Sequence, residues 1–292
     1  MVRKAVFLDV DGTLLNEHAQ VPASAARAVR EARACGHRVF LCTGRCMAEL
    51  WPGIRDIGFD GYIFGAGAYV QVGDEVVAHR VFADADVRHA IEFFGSHGTD
   101  IYLEANDVIY ATAETRSRLR RQVLGNAATA EVAAEMRGGP FRFLDHIVDP
   151  GPLPGQIMKI MYFGADVSAD AIRAEFAGTI EVLPSSTDLL GAGSGELMIA
   201  GVHKAIGMHA AIAHLGVDRV DTIAIGDSYN DLEMLEEAAV GIAMGNAPRA
   251  VMDVADEVTA TPDEDGLWLA FLRHGLVSES SATAYCSPAI LQ

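Results

Sequence analysis

The sequence predicts an α/β protein: a doubly wound, Rossmann-like parallel sheet core with an inserted α+β cap domain. Three observations carry this. Short apolar runs alternate with helix-period stretches over the first third of the chain and again from about residue 222. Between those portions the rhythm changes to helices mixed with paired short strands. Finally, apolar runs in both outer portions end in acids, hydroxyls or cations, at the strand ends where open α/β sheets place their ligands.

In order, the first portion predicts strand 5–10, helix 22–35, strand 38–43, helix 46–56 and strand 61–65, each run bounded by turn residues. The last portion predicts strand 222–226, helix 229–238, strand 240–244, a short helix after Pro248, strand 256–259 and a helix near 264–274. The middle predicts helix 84–97, strands 100–104 and 107–112 turning at Asn106-Asp107, and helix 114–124. A Gly/Pro-rich stretch from Gly138 to Gly155, broken by the apolar run 141–148, leads to strand 157–163, helix 168–177 and paired strands 180–185 and 188–199. Roughly a hundred residues suffice for a separate domain. The chain therefore divides into a core of residues 1–80 and 190–292 and a cap of residues 81–189, hinged near 80 and 190. The Gly191-Ala-Gly193-Ser-Gly195 run lacks the G-x-G-x-x-G spacing of a dinucleotide loop and reads as a flexible turn. The tail after Val277 has no periodicity and is expected to be loosely held.

Half of the 292 residues are hydrophobic, so a large core is available. With 22 basic and 40 acidic residues the net charge is −18, which opposes partners such as nucleic acid or an anionic membrane. Cys35, Cys42, Cys46 and Cys286 form no C-x-x-C pair, no export signal precedes them, and no apolar run is long enough to span a bilayer. Those features predict a cytoplasmic protein with free thiols. The sequence leaves its oligomeric state open.

The chemistry begins at Asp9-Val-Asp11-Gly12-Thr13, where an apolar strand ends. Residues two apart on an extended segment project to one side, so two carboxylates converge. A divalent cation beside them would keep one ionised as a nucleophile, while its uncompensated neighbour is pushed upward in pKa and can carry a proton. The plainer alternative is an Asp-Gly turn. Strand 38–43 ends in Thr43-Gly44-Arg45, a hydroxyl, a glycine and a cation able to donate to phosphoryl oxygens, or else a helix cap with a surface arginine. Lys204 stands at a predicted helix start, where a cation joins free amide donors to suit an anion, or is merely solvated. In Gly226-Asp227-Ser-Tyr-Asn230-Asp231 a second apolar strand ends in an acid, and an amide and another acid follow on the opening helical turn. Such hard oxygen ligands suit Mg²⁺.

In this order the stretches resemble the haloacid dehalogenase superfamily, specifically the Cof-like phosphatases whose cap is inserted between the second and third motifs. Gly241-Ile-Ala-Met-Gly245-Asn246-Ala247 and Asp263-Glu-Asp-Gly266 add to the likeness. The resemblance implies a Mg²⁺-dependent phosphoric monoester hydrolase acting on a small phosphorylated metabolite, a sugar phosphate or a phosphorylated cofactor, through an aspartyl-phosphate. It implies Asp9 as nucleophile and Asp11 as acid, then base. Thr43, Gly44, Lys204 and Asn230 would hold the phosphoryl group, with Arg45 nearby. Metal ligands would be Asp9, the Asp11 backbone carbonyl and Asp227, with Asp231 acting through water or orienting the shell. A phosphomutase of the same superfamily and an inactive metabolite sensor are the alternatives. Two departures concern contacts near the site: Ala66-Gly67 stands where Asn-Gly is common, and Met198 where a glutamate is expected before the lysine.

Overall fold

A computed structural model describes residues 3–125, 139–151, 153–185 and 190–278. Almost all of the tail after Val277, with Cys286, residues 188–189 of the last predicted cap strand, and Gly138 and Pro152 of the Gly/Pro-rich stretch lie outside those residues.

The core sheet is made of β1 (Ala5–Leu8), β2 (Arg38–Cys42), β3 (Gly61–Phe64), β4 (Tyr69–Val72), β5 (Glu75–His79), β11 (Thr222–Gly226), β12 (Val240–Ala243) and β13 (Glu257–Val258). Its spatial order is β13-β12-β11-β1-β2-β3-β4-β5, parallel from β13 to β3 and antiparallel beyond. All four residues of β1 are buried, as a central parallel strand covered on both faces requires. Their alternation sorts them into two packed layers. Val6 and Leu8 pack with Ala28 and Val29 of the helix Ala23–Ala34 and with Phe271 of the helix Gly266–Arg273. Ala5 and Phe7 face the other way, toward Met208 and Ala211 of the helix Lys204–Leu215 and Leu235 of the helix Leu232–Glu237. Phe7 stacks on Phe40, with ring centroids 5.1 Å apart.

Two local expectations need correction. The predicted helix 46–56 splits into a 3-10 turn, Met47–Glu49, and a short helix, Pro52–Arg55. Leu50 and Trp51 between them are extended, because Pro52 disfavours helical backbone at the residue before it. The hairpin β4–β5 was not expected, although Tyr69–His79 alternates around a Gly73-Asp74 turn.

A second, five-stranded sheet has the order β7-β6-β8-β10-β9, all antiparallel, from β6 (Asp100–Glu104), β7 (Ile109–Tyr110), β8 (Lys159–Phe163), β9 (Ile180–Pro184) and β10 (Gly195–Ile199). The helix Asp84–Ser96 packs on it through Val87, Ala90 and Phe94. The final predicted cap strand begins at Gly195 rather than 188 among the described residues, because Gly191 and Gly193 take positive φ in the turn before it. The overall architecture is thus α/β, a mainly parallel core sheet with a separate, inserted antiparallel sheet as cap.

The turn Gly65–Gly67 after β3 supports the second motif. Gly65 N–H donates to Arg45 O at 2.9 Å and Ala66 N–H to Thr43 O at 2.9 Å. Ala66 holds φ 50° and ψ 37°, the left-handed region, which costs a residue with a β-carbon about 1–2 kcal/mol. Asparagine tolerates that region better than alanine. Ala66→Gly should remove the strain at the expense of roughly 0.4–1 kcal/mol of unfolded-chain entropy. The expected net gain is on the order of 0.5–1 kcal/mol in urea unfolding, and a loss of stability would contradict this account.

Candidate active site

The direction in which successive strands are added reverses at β1, which lies between β11 and β2. That reversal opens a crevice at the carboxyl ends of these strands. Asp9 follows β1, Thr43 follows β2 and Asp227 follows β11, so one crevice receives all three. Asp9 N–H donates to Ile225 O at 3.0 Å, tying the end of β1 to β11.

Lys204, first residue of its helix, is fully buried. Its Nζ donates to Asp9 Oδ1 at 2.6 Å, Asp231 Oδ1 at 2.6 Å and Asn230 Oδ1 at 3.1 Å, using all three ammonium hydrogens. The other oxygen of Asp231 accepts from the N–H groups of Asp227 at 3.1 Å and Ser228 at 2.9 Å, closing the 3-10 turn Tyr229–Asp231. Gly226 is required by this approach: a β-carbon there would lie 2.4 Å from Asp231 Cγ.

Asp227 is oriented from two sides. Thr13 Oγ1 donates to its Oδ1 at 2.9 Å, and Asn246 Nδ2 donates to its Oδ2 at 3.2 Å and to Gly12 O at 2.9 Å. Carboxylate oxygens of Asp9, Asp227 and Asp231 lie within 4.8 Å of one another. Burial pushes Asp9 well above the usual carboxylate range; Lys204 pulls it down, but Asp231, Asp227 and Asp11 push it further up. Burial and the adjoining Asp231 raise Asp227 to about 6. One lysine therefore leaves the acids undercompensated. That surplus, on hard oxygen donors, fits a small divalent cation such as Mg²⁺.

Asp11 differs. Burial would raise it, but the Arg45 guanidinium outweighs that and holds it below its ordinary value. The contact is bidentate, Arg45 Nε to Asp11 Oδ2 at 2.8 Å and Nη2 to Oδ1 at 2.7 Å. Arg45 also lies over the Trp51 ring, 5.7 Å from its centroid. Thr43 Oγ1 accepts from Arg45 N–H at 3.1 Å, which leaves the Thr43 hydroxyl hydrogen free to donate. Asn230 Nδ2 faces Gly44 across the crevice, 3.8 Å from where a β-carbon of Gly44 would lie.

The crevice opens into a cavity of about 1370 Å³ between the two sheets, with Asp9, Asp11, Thr43 and Asn230 on the core side and Tyr102, Met161 and Lys159 on the cap side. Asp9, Asp11, Thr43, Gly44, Arg45, Lys204, Asp227, Asn230 and Asp231 therefore meet at one end of β1. Sequence reasoning missed the orienting roles of Thr13 and Asn246 and the whole contribution of Lys159. Asn246 carried a signal, a polar residue directly after Gly245 just past a strand, and Lys159 carried none. Met198 is not the acid expected before Lys204, but Glu196, two residues earlier on β10, is buried.

The haloacid dehalogenase-like hydrolase family is matched over residues 6–271. The 5-amino-6-(5-phospho-D-ribitylamino)uracil phosphatase YcsE of Bacillus subtilis is 26% identical over 93% of this chain and 95% of its own. Among solved structures, a hypothetical protein of Geobacillus kaustophilus HTA426 is 28% identical with a TM-score of 0.77, covering 94% of this chain and 100% of that one. The subclass IIB sugar phosphatase BT4131 is 26% identical with a TM-score of 0.71, over 94% of this chain and 100% of that one. Among the described residues no helix is long and apolar enough to cross a membrane.

Proposed function

The chain belongs to the haloacid dehalogenase-like hydrolase family, as a Cof-like phosphatase of subclass IIB, and from that premise we propose that it hydrolyses a small phosphorylated metabolite through an aspartyl-phosphate on Asp9. One observation carries the reading: the Lys204 ammonium joins Asp9, Asp231 and Asn230 beside Asp227 at the carboxyl end of β1. In this reading Asp9 Oδ attacks phosphorus and Asp11 protonates the leaving oxygen, then takes a proton from the water that cleaves the acyl phosphate. Both Asp11 oxygens are engaged by Arg45 at rest, so an incoming phosphoryl dianion draws the guanidinium to itself and frees Asp11 to take up a proton. The Thr43 hydroxyl, the Gly44 N–H and Asn230 Nδ2 hold the phosphoryl oxygens, joined by Lys204 once its third hydrogen leaves Asn230 Oδ1.

Asp9, Asp227 and the Asp11 backbone carbonyl would hold Mg²⁺, which would supply the positive charge that lets an anionic nucleophile approach an anionic ester. Both oxygens of Asp231 are already engaged, which favours its role in orienting the shell over direct ligation. Residues 81–189, joined by β10, would form the cap that excludes water and selects the leaving group.

The relatives bear on substrate class: YcsE is named for a ribitylaminouracil phosphate and BT4131 as a sugar phosphatase. A sugar phosphate or a phosphorylated cofactor fits both. Retention of every charged group of the site argues against an inactive sensor. The thiols of Cys35, Cys42 and Cys46 are free, consistent with work in the cytoplasm. The test is phosphate release from sugar phosphates, nucleotides, flavin mononucleotide and pyridoxal phosphate with Mg²⁺. At least one ester should reach a kcat/KM of roughly 10⁴ M⁻¹s⁻¹ or more, lost on chelation. Silence across the panel would sink the assignment, and isomerised sugar phosphate without free phosphate would favour a phosphomutase.

A further inference from the structure

Lys159 opens β8 and is the direct cross-strand neighbour of Glu104 on β6. Its ammonium lies 3.1 Å from Glu104 Oε2, and the pair is almost completely enclosed, with side chains 7% and 0% exposed. The same ammonium leaves the cap sheet and donates to Gly44 O of the core at 2.9 Å, 115 residues away in sequence. That carbonyl and the Arg45 N–H belong to one peptide unit, and the N–H donates to Thr43 Oγ1 at 3.1 Å. The unit is therefore gripped at both ends, from the cap on its carbonyl side and from Thr43 on its N–H side. Its plane sets which way the Thr43 hydroxyl hydrogen points and where the Arg45 side chain starts toward Asp11.

We propose that Lys159 is a positioning residue supplied by the cap, which locks the Gly44–Arg45 peptide so that the phosphoryl-binding turn is correctly formed only when the cap is seated. The inference rests on the phosphatase reading of the crevice. A stability role explains the arrangement less well, because a buried ion pair gains little over a well-packed apolar pair. Attraction to Glu104, Glu196 and Glu49 outweighs burial and keeps Lys159 protonated, as a donor must be, while burial and the nearby Glu49 push the Glu104 carboxyl well above the usual carboxylate range.

The test compares orthovanadate binding, by calorimetry with Mg²⁺ present, in the full chain and in Lys159→Met, Lys159→Arg and Glu104→Gln. Lys159→Met should weaken binding about tenfold or more, the loss expected for one charge-assisted hydrogen bond. Lys159→Arg should restore most of it, a rescue that packing alone does not provide. Glu104→Gln keeps the side-chain volume and should weaken binding about threefold; it decides the matter if Lys159→Met does not fold. Equal affinity in the parent protein and either neutralised variant overturns the proposal, as does a parent protein that binds no vanadate. A parent protein that binds vanadate but hydrolyses no ester fails the phosphatase reading alone, and the Lys159 comparison still stands.

Discussion

Asp9→Asn is expected to release no measurable phosphate while folding at least as stably as the parent protein. The amide has almost the shape of the carboxylate and can still accept from Lys204, so the crevice keeps its geometry. It cannot attack phosphorus, and deletion of a covalent nucleophile elsewhere costs up to about 10⁶ in kcat. A loss of at least about 10⁴-fold, about 5.4 kcal/mol of transition-state stabilisation, is the expectation here. Stability should move the other way. In the absence of metal Asp9 is pushed well above its ordinary pKa by burial and neighbouring acids, so removing one buried negative charge relieves repulsion. Thermal melts without Mg²⁺ should show Asp9→Asn equal to or above the parent, and Mg²⁺ should stabilise the variant less. Retention of more than one per cent activity would remove Asp9 from the nucleophile's role.

Lys204→Met should lose function as well, but unlike Asp9→Asn it should also lose much of the protein's stability. The lysine is fully buried and is the cation held directly between the Asp9 and Asp231 carboxylates. Breaking a buried pair by removing one partner costs about 3–5 kcal/mol, because the abandoned charge stays in a poor solvent. Whole domains are stable by only about 5–15 kcal/mol, so this single change is a large share of the total. Denaturant unfolding should register it directly. A change below about 1 kcal/mol would mean that water or rearrangement satisfies both acids without Lys204.

The core and the place of its crevice were largely legible because a polar side chain follows an apolar run at each of three strand ends. Asp9, Thr43 and Asp227 stand out from the strands before them, and a parallel α/β sheet brings those ends together. Elements whose form depends on a local conflict were read less well. The 46–56 segment has a helical pattern, yet Pro52 breaks it, and the alternation of Tyr69–His79 was overshadowed by the glycines before it. The cap-to-core contacts were not legible at all. Lys159 lies in an ordinary apolar strand, and its meaning comes from docking against Gly44, which no periodicity encodes. Ala66 marks the intermediate case, since a departure from a common Asn-Gly was visible but its left-handed backbone was not.

The placement of β1 between β2 and β11 also sets an order of events during synthesis. Thr13 and its partner Asp227 are 214 residues apart, and Asp9 and Lys204 are 195 apart. A ribosome adding about 5–20 residues per second makes Asp9 roughly ten seconds or more before Lys204, Asp227 and Asp231. Throughout that interval the growing chain has no complete catalytic centre, however much of the cap has already folded. Unfinished or prematurely released polypeptides therefore lack the assembled crevice, which is complete only once β11 has closed against β1.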